Sequence, residues 1–243
     1  MKKQFVSSAL AIGAFTSLAV LFAGSPAKAL TLSGGSVTDI TAADIGESFN
    51  ISFDGSVERT TISGLTSEAV FTLTSFMNNL VTFGVSLENT SSGGVGSRVS
   101  RLGFNTDPNI AASGSDVSGA FDILIQNGSF PNGFGAVEVC LAPTRQGTTR
   151  QGNCTGGPGG VLTGETGTFD LTLAFANSID SLNLSNFGVR YQSITGVAAG
   201  TSGTGTGTPT PVPTPAAVLP ALFGMATAAV RKKKGEEVAT VEA

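Results

Sequence analysis

The sequence predicts an all-β domain, an antiparallel β-sandwich of jelly-roll type, and three observations predict it. Gly makes up 33 of 243 residues, Thr and Ser line nearly every segment, and charged residues are only 12%. Such a composition favours short strands joined by Gly-rich turns and disfavours long amphipathic helices. Several stretches alternate apolar and polar residues, the two-residue repeat that points every second side chain into a half-buried sheet. About eight to ten such runs follow one another with no regular helical segment between them, the pattern of two packed antiparallel sheets.

Before these runs comes a leader. Lys2 and Lys3 precede an apolar stretch over residues 5–23, followed by Ala27, Lys28 and Ala29. Basic residues, an apolar core and small residues at the last and third-last positions make a secretory signal peptide, residues 1–29, with cleavage by signal peptidase expected after Ala29. Removal leaves a chain long enough for one domain, expected over residues 30–197. Between Leu30 and Pro215 stand six arginines, no lysine and fourteen Asp plus Glu, a formal charge of −8. That balance disfavours nucleic acid or an anionic membrane as partner.

Within the domain, Phe49, Ile51 and Phe53 form one alternating set. Val81, Phe83, Val85 and Leu87 form a second, and Phe169, Leu171, Leu173 and Phe175 a third. Further strands are expected in EAVFTLTSF, SRLGFN, GAVEVCLA and FGVRYQSI, while AFDILIQNG fits either a strand or a short helix. Cys140 and Cys154 are the only cysteines. An exported chain meets an oxidising compartment, so a disulfide is expected. Closing a loop of about fifteen residues is worth roughly 3 kcal/mol in the chain-entropy model.

Candidate chemistry is sparse. With no His in the chain there is no Ser-His-Asp or Cys-His machinery and no imidazole metal site. TGGPGGVLTGETG lacks the Lys-Ser/Thr end of a P-loop and is expected to be a flexible turn beside Cys154. Asp107, Asp116, Asp122, Glu138 and Asp170 are available as glycosidase carboxylates, but nothing in the sequence pairs them. Asn105, Asp107 and Asn109 alternate in GFNTDPN and offer oxygens to calcium; the competing reading is a turn initiated by Asp before Pro. Sugar stacking is disfavoured by the absence of Trp and the single Tyr191, which leaves a lectin-like site of Asn, Asp and Arg contacts as the alternative function.

After the domain, residues 198–215 are rich in Gly, Thr and Pro, with too few large apolar groups to bury, and are expected to form a tether stiffened by its prolines. Residues 216–230 carry no charge and are followed at once by Arg231, Lys232, Lys233 and Lys234. As a helix the apolar run reaches about 22 Å, short of the ~30 Å hydrocarbon core, which makes it a marginal transmembrane segment. The basic tail, residues 231–243, belongs in the cytoplasm and the domain outside, in agreement with the leader.

Pro213, Thr214 and Pro215, then a short apolar helix, then an Arg/Lys cluster resemble the PEP-CTERM sorting signal in its Pro-Thr-Pro variant. VTFGVSLENTS, GFNTDPN and FGVRYQSI resemble segments of the β-sandwich proteins that bear such tails, and Cys140 with NCTGG resembles the cistern subfamily. The resemblance implies recognition by an exosortase-like membrane peptidase, processing near the prolines, and an exopolysaccharide-producing bacterial source. Two departures are present: Glu is missing from the proline motif, and GEEVATVEA extends past the basic cluster. The resemblance implies no catalytic residue and no cofactor. The expected function is therefore an exported, non-catalytic protein, held transiently in the inner membrane, then placed at the cell surface or in the extracellular polysaccharide matrix.

Overall fold

A computed structural model of the chain describes residues 30–143 and 154–212. The leader, residues 144–153, the Pro-Thr-Pro motif, the expected transmembrane segment and the basic tail lie outside the described residues. Among the described residues no helix is long and apolar enough to cross a membrane.

The fold is all-β and antiparallel, as composition and alternation predict. Its strands are β1 (Thr31–Ser33), β2 (Ser36–Ile40), β3 (Ser48–Val57), β4 (Thr60–Met77), β5 (Leu80–Glu88), β6 (Gly96–Asp107) and β7 (Asp116–Gly119). They continue with β8 (Ile123–Phe130), β9 (Gly135–Ala142), β10 (Val161–Leu162), β11 (Thr166–Ala174), β12 (Leu182–Thr195) and β13 (Ser202–Pro211). The stretch AFDILIQNG resolves as strand, because β8 pairs with β9 along Ile123 to Phe130. All strands belong to one sheet in the order β7-β11-β5-β4-β3-β13-β12-β6-β9-β8, with β1, β2 and β10 attached beside it. The two ends, β7 and β8, are consecutive in the chain, so the sheet curls over its own core and nearly closes into a barrel. Curling removes most of the open edge that a flat sheet of this width would present.

The alternating sets do what their period requires. Phe49, Ile51 and Phe53 on β3, the four apolar residues of β5, and Phe169, Leu171 and Leu173 on β11 are all buried. Phe49 stacks on Phe71 of β4 at 5.1 Å between centroids, and Phe71 meets Phe104 of β6 edge-on at 6.0 Å. Phe104 in turn packs on Phe187 of β12 at 5.8 Å. Strands far apart in the sheet order thus share one aromatic centre. Offset and edge-to-face ring pairs of this kind add about 0.5–1.5 kcal/mol each beyond area burial. Tyr191 of β12 enters the same core, where its hydroxyl shares a 2.8 Å hydrogen bond with Ser67 on β4. Burial raises its phenol well above the ordinary tyrosine value, and the Asp54 charge adds to the rise.

The tether expectation is overturned for residues 202–211. They form β13, which lies inside the sheet between β3 and β12, so the domain runs to Pro211 and not to 197. SGTGTGTPTP alternates with period two, and the structure gives that alternation a meaning. Thr206, Thr208 and Thr210 are exposed, whereas the glycines turn toward the core. A Cβ on Gly205 would stand 2.8 Å from Val189 Cγ2 and 2.9 Å from Tyr191 Cε2; one on Gly207 would stand 2.6 Å from Ile51 Cγ2 and 2.7 Å from Phe187 Cβ. The aromatic centre already fills the space that inward side chains of β13 would need. Large apolar residues are missing from this strand because its neighbours supply them. Beyond Thr206 the strand pairs with β3 alone. Pro209 and Pro211 stand in that half, where the absent N–H removes no ladder bond to a second neighbour.

Gly205→Ala is expected to overpack this centre and lower stability by about 1–3 kcal/mol. Thr208→Ala, on the exposed face, is expected to change it by roughly 0.5 kcal/mol or less. Urea unfolding of the two variants checks the contrast.

Candidate functional site

Two polar constellations stand out, one in a surface turn and one largely buried, and several of the residues singled out from sequence fall in the first. Asn105 and Asp107 close β6, and the Asp107–Pro108 peptide after them is cis. Glu138 of the neighbouring β9 is half-buried and reaches into this turn. Its Oε2 accepts from the Thr106 N–H at 3.0 Å and the Thr106 hydroxyl at 2.6 Å, and its Oε1 accepts from the Ile110 N–H at 2.7 Å. Asn105 Oδ1 accepts from the Glu138 N–H at 2.9 Å, and Asn183 Nδ2 donates to Asp107 Oδ2 at 3.3 Å. The oxygens expected to suit calcium are therefore spent largely on organising a turn. Among the described residues no group of three or more His, Cys, Asp or Glu side chains is placed to hold a metal ion.

The turn borders a cleft of about 450 Å³ lined by Asn105, Thr106, Asn109, Asn127, Glu138 and Ser185. Of the other carboxylates weighed from sequence, Asp116 lies on β7 and Asp170 on β11, where Asp170 pairs opposite Ser118. Asp122 stands in the connection between β7 and β8. Of these carboxylates only Glu138 lines the cleft, with Asp107 at the end of the adjoining β6; Asp116 and Asp170 stand on other strands and Asp122 in a connection.

The second constellation begins at the cysteines. Cys140 and Cys154 are joined as expected, with Cα atoms 6.1 Å apart. Both are buried in a small apolar cluster with Ile125, Phe130, Val137 and Ala142, separate from the main core. The disulfide thus anchors the chain over the outside of β8 and β9. The stretch after Cys154 is not a free turn: Thr155, Gly156 and Gly157 lie across β6 and β12, and three arginines meet them.

Arg190 Nε donates to Thr155 O at 3.0 Å, Arg101 Nη2 to Gly156 O at 3.1 Å, and Arg98 Nη2 to Gly157 O at 3.0 Å. Gln192 completes the set, accepting from Arg98 Nη2 at 3.3 Å and from the Gly157 N–H at 2.8 Å. A Cβ on Gly157 would stand 2.8 Å from Arg101 Nη2, so glycine is what lets the loop lie this close. Arg101 and Arg190 are buried. Burial pulls both guanidiniums below the ordinary arginine value, and for Arg101 the Arg98 charge adds to the effect.

Sequence alone shows these arginines as charge and not as a group. The one signal present is their placement inside strand patterns, in SRVSR and GVRYQ. Comparison with protein-family models, with curated proteins and with solved structures gives no match to this chain.

Glu138→Gln replaces one accepting oxygen by an amide that faces an N–H donor. Hydrogen bonds to a charged group are worth about 1.5–3 kcal/mol, so a loss of that order is expected. It is checked by thermal unfolding, together with faster amide exchange at Thr106 and Ile110.

Proposed function

We propose that this is an exported, non-catalytic surface or extracellular-matrix protein, delivered by its leader and sorted through its C-terminal tail by an exosortase-like membrane peptidase. The observation that carries the reading is the junction between fold and tail. The last strand among the described residues ends at Pro211, and Pro213 of the Pro-Thr-Pro motif stands two positions later. A recognition motif placed directly after the strand that joins the two halves of the sheet is an arrangement suited to a label read after folding.

The disulfide supports the same reading, because such bonds persist in oxidising compartments. So does the agreement between leader and basic tail on one topology. In this reading the domain is a jelly-roll-type sandwich: the β7-to-β3 and β12-to-β8 portions of the sheet are its layers, and β13 joins them. The aromatic contact between Phe71 and Phe104 supports the two-layer description.

Intact mass of the exported form tests the proposal. The expected mature chain begins at Leu30 and lacks Arg231 through Ala243. A surface form that retains Ala243 contradicts processing.

A further inference from the structure

The arginine group carries an electrostatic imbalance that its hydrogen bonds leave in place. Arg101 and Arg190 stand directly opposite each other across β6 and β12, and Arg98 stands opposite Gln192. Like charges placed opposite each other in adjacent strands are destabilising. The acceptors they use among the described residues are neutral: the Thr155, Gly156 and Gly157 carbonyls, Gly203 O at 2.8 Å from Arg190 Nη1, the Ser100 carbonyl and the Gln192 amide. The Nε atoms of Arg98 and Arg101 are buried and have no hydrogen-bond partner among the described residues. Arg101 is only 6% exposed, so its unpartnered Nε lies well inside the group.

A purely structural role, clamping the loop after the disulfide, accounts for the carbonyl contacts. It does not account for the charge. A neutral amide donor would hold the same carbonyls without the cost of burying an uncompensated ion. With a domain charge of −8, carboxylates for pairing are plentiful in this sequence, yet the acceptors described here are carbonyls and an amide.

We propose that Arg98, Arg101 and Arg190 form an oxyanion-binding site for a single carboxylate or sulfate group, entering beside the half-exposed Arg98. The guanidinium fork matches such groups in a bidentate geometry that a lysine does not reproduce. The site stands independently of the sorting proposal. Assigning the group to a uronate of an extracellular polysaccharide, as opposed to a free inorganic anion, rests on that proposal.

The test uses the exported protein with its disulfide intact, titrated at constant ionic strength in chloride with sodium sulfate, with a galacturonate trimer and with maltotriose. Binding is read by calorimetry and by the shift in unfolding temperature. Saturable binding of the trimer and none of maltotriose is expected, with affinity falling tenfold or more in Arg98→Gln and less in Arg98→Lys. Unliganded unfolding of both variants serves as the folding control. Saturation by sulfate alone keeps the site and overturns the glycan assignment, whatever the mass of the exported chain. No saturable binding of either anion, or equal binding by Arg98→Gln, overturns the site and leaves the arginines as a loop clamp.

Discussion

The rest of the structure depends on a steric constraint at the middle of the sheet: the glycines of β13 must lie against the aromatic centre without side chains of their own. Val189, Tyr191, Ile51 and Phe187 occupy the volume that inward side chains at Gly205 and Gly207 would fill. Interiors packed at crystal-like density tolerate one or the other, not both. Because β13 joins β3 to β12, the two halves of the sheet are hydrogen-bonded through a strand that contributes almost no apolar side chain. Its glycines cost conformational entropy on folding. The rings of Phe49, Phe71, Phe104 and Phe187, drawn from both halves, offset that cost and give β13 its place.

Outside this core a second layer is tied on by different means. The Cys140–Cys154 disulfide sits in its own apolar cluster and fixes where the adjoining loop begins. The guanidiniums of β6 and β12 then fix where Thr155 to Gly157 lie. Covalent closure limits the unfolded chain, while the arginines specify the folded path. The electrostatics of the domain are divided accordingly, with a compact positive group held by neutral acceptors on a domain whose net charge is −8. A different logic governs the turn at Asn105 to Ile110, where one carboxylate, Glu138, collects the N–H groups of the other strand's end.

How much of this is legible in sequence depends on whether a signal is carried by large side chains. β3, β5 and β11 announce themselves through Phe, Val and Leu at every second position, and their inward faces match the residues that are buried. β13 carries the same period in Gly and Thr. A reading weighted by hydrophobic content takes Gly-Thr repeats for linker, because the apolar half of the alternation comes from neighbouring strands and is invisible locally. The same holds for the sites. The turn at Asp107 is readable from Asp before Pro, but Glu138 is distant in sequence and joins it only through strand pairing. The three arginines come from two strands, and their loop partners lie beyond the disulfide. Only register brings them together.

Amide hydrogen exchange along residues 202–211 tests the account at its centre. If β13 is a strand held between β3 and β12, the ladder amides of residues 203–206 exchange only through global unfolding, at the protection of the β3 and β12 amides. Exchange there at the rate of an unstructured Gly-Thr peptide, with β3 and β12 still protected, would contradict it.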